Sequence, residues 1–88
     1  MANTKSALKR IRSTARKEMR NRAVRSATRT YVKKARVLIE RGKKDEAQAA
    51  VMRAISALDR AVTKGVLHRN NAARRKSRLM RRFHSLTG

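Results

Sequence analysis

Only two interior positions of this 88-residue chain oppose a continuous helix: there is no proline, and the three glycines sit at 42, 65 and 88. A proline would have broken a helix by removing a donor and clashing with the preceding turn, whereas a glycine marks the left-handed residue that commonly ends one. Asn3 and Thr4 are good N-caps, and nothing from 5 to 41 forbids helix. The spacing therefore predicts a first helix over about 5–41, closed by Gly42. A second helix opens at Asp45, with Gln48 three residues on as a capping-box partner and Glu46 near the positive end of the helix dipole. It runs over about 46–63 with apolar residues at 47, 51, 54, 55, 58 and 62 on one face. Gly65 closes it, with Val66 placed for the hydrophobic contact of a Schellman ending. A third helix starts near His68 to Asn70 and covers about 70–84, with Ala72, Leu79, Phe83 and Leu86 along one side. Short turns make neighbouring helices antiparallel. The expected fold is all-α: residues 1–88 as a single three-helix domain, an up-down-up bundle.

The helices differ in length. The first would be ~55 Å long and the other two ~27 Å each, so the bundle can cover only the C-terminal half of the first helix. The N-terminal half should project beyond it. Helical phase agrees: Val24, Ala27, Tyr31, Ala35 and Leu38 share one face, while Leu8, Ile11, Ala15 and Met19 share another, rotated roughly 150° away. One partner cannot cover both faces without a kink, so the projecting half is expected to contact something other than this core.

Charge says what that something is. Twenty-six Lys plus Arg face five Asp plus Glu, a net +21, and such crowding costs free energy through self-repulsion. A chain this short buries only about 60–65% of its unfolded surface. Without cysteine it has neither a disulfide nor a thiolate metal cage to compensate. A polyanion must therefore neutralise it: nucleic acid, an anionic membrane or an acidic protein. Arginine outnumbers lysine 17 to 9, and its planar fork grips phosphate bidentately. Residues 1–41 hold 14 basic and 2 acidic side chains, 42–62 hold 4 and 3, and 63–88 hold 8 and none. Helices one and three thus read as the polyanion-facing elements, with helix two as a nearly neutral brace.

Within helix one, Arg22, Arg25, Arg29, Lys33 and Arg36 step by 3, 4, 4 and 3, a ridge expected opposite the apolar face of Val24 to Leu38. In the projecting half, Lys9, Arg12, Arg16 and Arg20 step by 3, 4 and 4, with Lys17 beside them. Like charges at these spacings destabilise an isolated helix by about a few tenths of a kcal/mol per pair. A merely solvated face would intersperse carboxylates, and residues 1–17 contain none. The segment 64–78 combines a turn, a helix start and dense charge in Lys64, Arg69, Arg74, Arg75, Lys76 and Arg78. A helix start offers free backbone N–H groups to phosphate, and the adjacent side chains could hold phosphates across a groove. The bland alternative there is a basic helix end without specificity.

Other chemistry is absent from the sequence. His68 and His84 lie 16 apart with no cysteine in the chain, so no metal and no cofactor is expected, and His68 reads as a backbone or RNA contact. Tyr31 and Phe83 lie on apolar faces and are expected in the core; two aromatics cannot build the stacking platform of an RRM or OB module. With no glycine-rich phosphate loop and no nucleophile–base pair, no enzyme is read here. The longest apolar run is Ala49-Ala50-Val51-Met52, far from the roughly 20 residues of a membrane span. The start lacks the apolar region of a secretory signal, so the protein is expected to stay where it is made. A basic helix lying on a membrane favours Trp or Phe on its buried face. DNA benders commonly carry β-arms or apolar wedges, and helix-turn-helix readers dimerise; neither is evident, and no homo-oligomer is expected. A rigid basic rod on a small bundle suits folded RNA, recognised by shape and backbone.

Two segments carry a resemblance. The opening Met1-Ala2-Asn3-Thr4-Lys5-Ser6-Ala7-Leu8-Lys9-Arg10, and the Lys-Gly-x-x-His-x-Asn-x-Ala-Ala-Arg-x-Lys pattern from Lys64 to Lys76, resemble the bacterial small-subunit ribosomal protein twenty family. With the length and helix pattern, the resemblance covers essentially the whole chain. It implies a three-helix bundle that binds small-subunit rRNA directly and helps the body of the subunit assemble in the cytoplasm, among other small-subunit proteins. The rRNA contacts it implies are Asn3, Lys5, Ser6, Lys9 and Arg10, then Lys64, His68, Arg69, Asn70, Arg74 and Lys76. Leu8, Asn71 and Arg75 depart from the family pattern. The ridge from Arg12 to Lys33 rests on spacing alone.

Overall fold

The computed structural model describes residues 4–87; Asn3 lies outside the described residues. Three helices follow one another: α1 (Lys5–Glu40), α2 (Lys44–Thr63) and α3 (Arg69–Thr87). The fold is all-α. Thr4 caps α1, its hydroxyl accepting the Ala7 N–H at 3.2 Å.

Both turns close on glycine. Gly42 and Gly65 sit at φ +70° and +74°, the left-handed region that costs other residues most. After α1 the Gly42 N–H donates to Ile39 O at 3.0 Å and the Lys43 N–H to Leu38 O at 3.2 Å. After α2 the Gly65 N–H donates to Val62 O and the Val66 N–H to Ala61 O, each at 2.9 Å. This is the Schellman pattern twice over, with Val66 and Ala61 buried beneath the second turn.

The start of α2 differs from the capping-box expectation. Its N-cap is Lys43, which makes no side-chain cap bond, and Asp45 and Glu46 lie inside the first turn. The Schellman turn already fixes Lys43 through its N–H, and the Lys43 carbonyl accepts the Ala47 N–H at 2.8 Å, so helix begins before Asp45 can cap it. The two carboxylates instead sit near the positive end of the helix dipole.

Ala35, Val51, Ala54 and Leu79 form the centre of the core, with Val32, Ile39, Ala50, Ile55, Met80 and Phe83 packed against it. Five of the nine buried apolar residues are alanine, and Leu58 is the largest fully buried side chain. Alanine at the contacts lets helices approach closely but transfers little apolar area, so α2 and α3 hold α1 with a thin core.

The inward face of α1 is turned from the expected one. Thr28 and Ala35 are buried, with Asn21, Val24, Val32 and Ile39 half-buried beside them, whereas Ala27 and Tyr31 are exposed. Helix one must face two neighbours at once, which moves its buried stripe toward α3. Thr28 can be buried because its hydroxyl donates to Val24 O at 2.8 Å, leaving no donor unsatisfied. Tyr31, expected in the core, lies at the α1–α2 edge.

Every residue from 8 to 20 is exposed. The molecule measures 62 × 21 × 14 Å, and its radius of gyration of 17.6 Å exceeds the ~12 Å of a compact chain this long. The N-terminal half of α1 therefore stands clear of the bundle.

Candidate nucleic-acid interface

α1 and α3 enclose a cleft of about 360 Å³ between them. Arg29 and Arg36 come from α1, Arg74, Arg75, Arg78 and Arg82 from α3, with Asn71 at the side and Val32 and Leu79 among the lining residues. The local reason is periodicity: Leu79 is drawn into the core, so the arginines at 75, 78 and 82 flank it on the same side of α3. The Arg75 Nε–H donates to Asn71 Oδ1 at 2.9 Å, which fixes that guanidinium along its helix. A second hollow, of about 210 Å³, continues past Arg25, Arg29 and Arg75 toward Val66 and Leu67 in the turn after α2.

Among the described residues no carboxylate lines either hollow. Among the described residues the ion pairs are Lys43–Glu46 at 3.9 Å and Lys76–Asp59 at 2.7 Å, and neither engages an arginine. Six guanidinium groups thus share one cleft with no carboxylate among its described lining residues. That arrangement repels itself and matches closely spaced phosphate oxygens, which arginine grips through two parallel N–H donors.

The cation ridge of α1 lies beside the buried stripe, not opposite it, because that stripe is rotated; Arg25, Arg29 and Arg36 therefore face the α1–α3 side, while Arg22 and Lys33 are exposed outside the cleft. Arg82 belongs to the cleft although no motif covers it; its position four residues after Arg78 is the signal. On the projecting half, Lys5, Lys9, Arg12 and Arg16 border a shallow groove with Leu8 and Ala15. Arg10, Lys17 and Arg20 are exposed elsewhere on the rod, and Ser6 lies 3.4 Å from the Thr4 hydroxyl.

Two motif residues have work inside the protein. Lys76 Nζ donates to Asp59 Oδ1 at 2.7 Å, tying α3 to α2. His68 Nδ1 accepts the Asn70 N–H at 3.1 Å, and the His68 carbonyl accepts the Ala72 N–H at 3.1 Å. His68 thus caps α3 with its own ring, and the Asn70 N–H is not available to an anion. Lys64, Arg69 and Asn70 are exposed around this turn, and Arg74 and Arg78 are exposed farther along α3, in the cleft. Among the described residues no cluster of metal-ligating side chains occurs, and no helix is long and apolar enough to cross a membrane.

Comparison with known proteins identifies the family. Over 86 residues, 98% of this chain and 87% of the relative, the sequence is 55% identical to the small ribosomal subunit protein bS20 of Thermomicrobium roseum. It is 48% identical over the whole length of both chains to that of Pelotomaculum thermopropionicum. It is 51% identical over 86 residues, 98% of this chain and 99% of the relative, to that of Corynebacterium glutamicum. The family model described as ribosomal protein S20 matches residues 2–84, a span that takes in the projecting rod, both glycine turns and the arginine cleft, so the chain belongs to the ribosomal protein S20 family.

Proposed function

We propose that this chain is a structural constituent of the small ribosomal subunit that binds small-subunit rRNA directly, through phosphate-backbone contacts from α1 and α3, and so supports subunit assembly. The observation that carries this reading is the carboxylate-free arginine cleft between those two helices. Arg29, Arg74, Arg75 and Arg78 hold phosphates in the cleft, with Arg25 at its mouth and Arg22 and Lys33 on its outer flank. Lys5, Lys9, Arg10, Arg12, Arg16, Lys17 and Arg20 track backbone along the rod, with Ser6 in its first turn; Asn3 joins them on the motif alone. Lys64, Arg69 and Asn70 present the turn before α3, while His68 and Lys76 set the direction of that helix. The spacing of the two helices is what discriminates, since phosphates carry register and shape but no base sequence. The chain acts as one three-helix unit in the cytoplasm, on the ribosome, beside other small-subunit proteins, and contributes no catalytic step.

Neutralisation predicts a steep salt dependence. For roughly ten phosphate contacts, the logarithm of affinity falls against the logarithm of salt with a slope of about −7 to −9. A fourfold variant, Arg29→Gln, Arg36→Gln, Arg74→Gln and Arg78→Gln, is expected to make that slope shallower by roughly 3 to 4 units. A titration on a small-subunit rRNA fragment with a wild-type slope shallower than about −3, or equal binding of duplex DNA, would overturn the reading.

A further inference from the structure

Among the described residues the bundled part of the molecule leaves two large apolar side chains exposed, Tyr31 at 41% and Met52 at 64%; the other three, Leu8, Ile11 and Met19, are on the projecting rod. Both line the same groove, of about 370 Å³, between α1 and α2. Met52, Arg53, Ser56, Ala57 and Arg60 form its α2 wall, a single stripe at helical spacing. Among the described residues no carboxylate lines it. Glu46, which lines the adjoining groove with Tyr31 and Lys34, lies 3.9 Å from Lys43. Arg53 and Arg60 stand seven residues apart, about 10 Å along the helix, toward opposite ends of the groove. Tyr31 follows Arg29 by two positions, roughly 160° around α1, so this groove opens away from the arginine cleft.

We infer that this groove receives an unpaired nucleobase, stacked on the Tyr31 ring and covered by Met52, with the flanking phosphates held by Arg53 and Arg60. The inference rests on the RNA reading above and adds to it a second strand on a different face and a different kind of contact. A paired helix hides its base faces, whereas a loop or bulge offers one to an exposed ring. The ring supplies a sequence-tolerant stacking surface, the thioether a soft, polarizable partner, and the two arginines the charge that a nucleotide needs and an uncharged peptide does not.

The chain supplies its own probe, because Tyr31 is its single tyrosine and it has no tryptophan; intrinsic fluorescence reports this ring alone. Three RNAs serve: decaadenylate, an abasic strand of equal length, and a duplex of equal length. Decaadenylate is expected to quench Tyr31 emission, and the abasic strand and duplex to bind without quenching. Tyr31→Ala and Tyr31→Leu, the latter keeping apolar bulk without a ring, should each weaken decaadenylate binding roughly tenfold and leave abasic binding unchanged. Tyr31→Phe should restore it, with helix content checked by circular dichroism in every variant. Equal quenching by the abasic strand, unchanged affinity in Tyr31→Leu, or equal quenching by an oligoglutamate peptide would overturn the inference, the last assigning the groove to an acidic protein. If decaadenylate fails these tests while an rRNA fragment still binds with a steep salt slope, only this inference falls. If no RNA binds, the broader reading falls with it.

Discussion

The two halves of α1 have nearly the same charge and opposite circumstances. Residues 5–20 carry seven basic side chains and one acidic, and residues 21–40 carry six and one. The second half buries Thr28 and Ala35 against its neighbours, while every residue from 8 to 20 is exposed. The apolar stripes of the halves point in different directions, so helix one taken whole shows almost no amphipathic side. The difference teaches that cation density does not decide how cations are arranged. In the bundled half a neighbouring helix sets the distance between arginines; on the rod none of the described residues does, and on the proposed reading bound phosphates would.

Amide exchange offers the widest separation of the two. Amides of α2 near Leu58 should open only with global unfolding, whereas those of residues 5–20 should exchange almost freely at low salt and gain protection when rRNA binds. Strong protection of the rod in the free protein would erase the distinction. Next in size, Leu58→Ala should cost about 2–5 kcal/mol in a denaturant titration, while Met19→Ala, at a position 69% exposed, should stay within about 0.5 kcal/mol. Gly65→Ala is expected to cost about 1–2 kcal/mol, wholly from backbone strain at φ +74°, since an added Cβ there would meet nothing within 4 Å. The smallest effect belongs to the bond between α3 and α2. A double-mutant cycle of Lys76→Gln and Asp59→Asn should give about 0.2–1 kcal/mol, because both partners are partly solvated.

Much of this architecture was legible from where glycine stands. Gly42 and Gly65 predict both turns, and the five-residue step from Met19 to Val24 predicts a rod whose halves face differently. The exact inward face of α1 was not, because a threonine counts as polar until its hydroxyl is seen to reach the Val24 carbonyl. The exposure of Tyr31 escapes sequence for the same reason: a stripe drawn through 27 and 31 is apolar, yet the one that passes through 28 and 32 is the one turned inward. The site was legible as residue types and only partly as a place. Motif and spacing mark the arginines of each helix, but no one-dimensional pattern brings Arg29 and Arg36 against Arg74 and Arg78 across a cleft. Nor does spacing within a helix reveal that Lys76 reaches Asp59, 17 positions back.

A helix of 36 residues reaches about 54 Å, and its anchor in the bundle lies at one end. On the proposed reading it works as a lever as well as a ligand: an RNA segment that seizes the rod would fix the heading of the arginine cleft some nanometres away. Once bound anions have settled the rod, segments that never touch one another share a single strut, and capture of one narrows the search for the other.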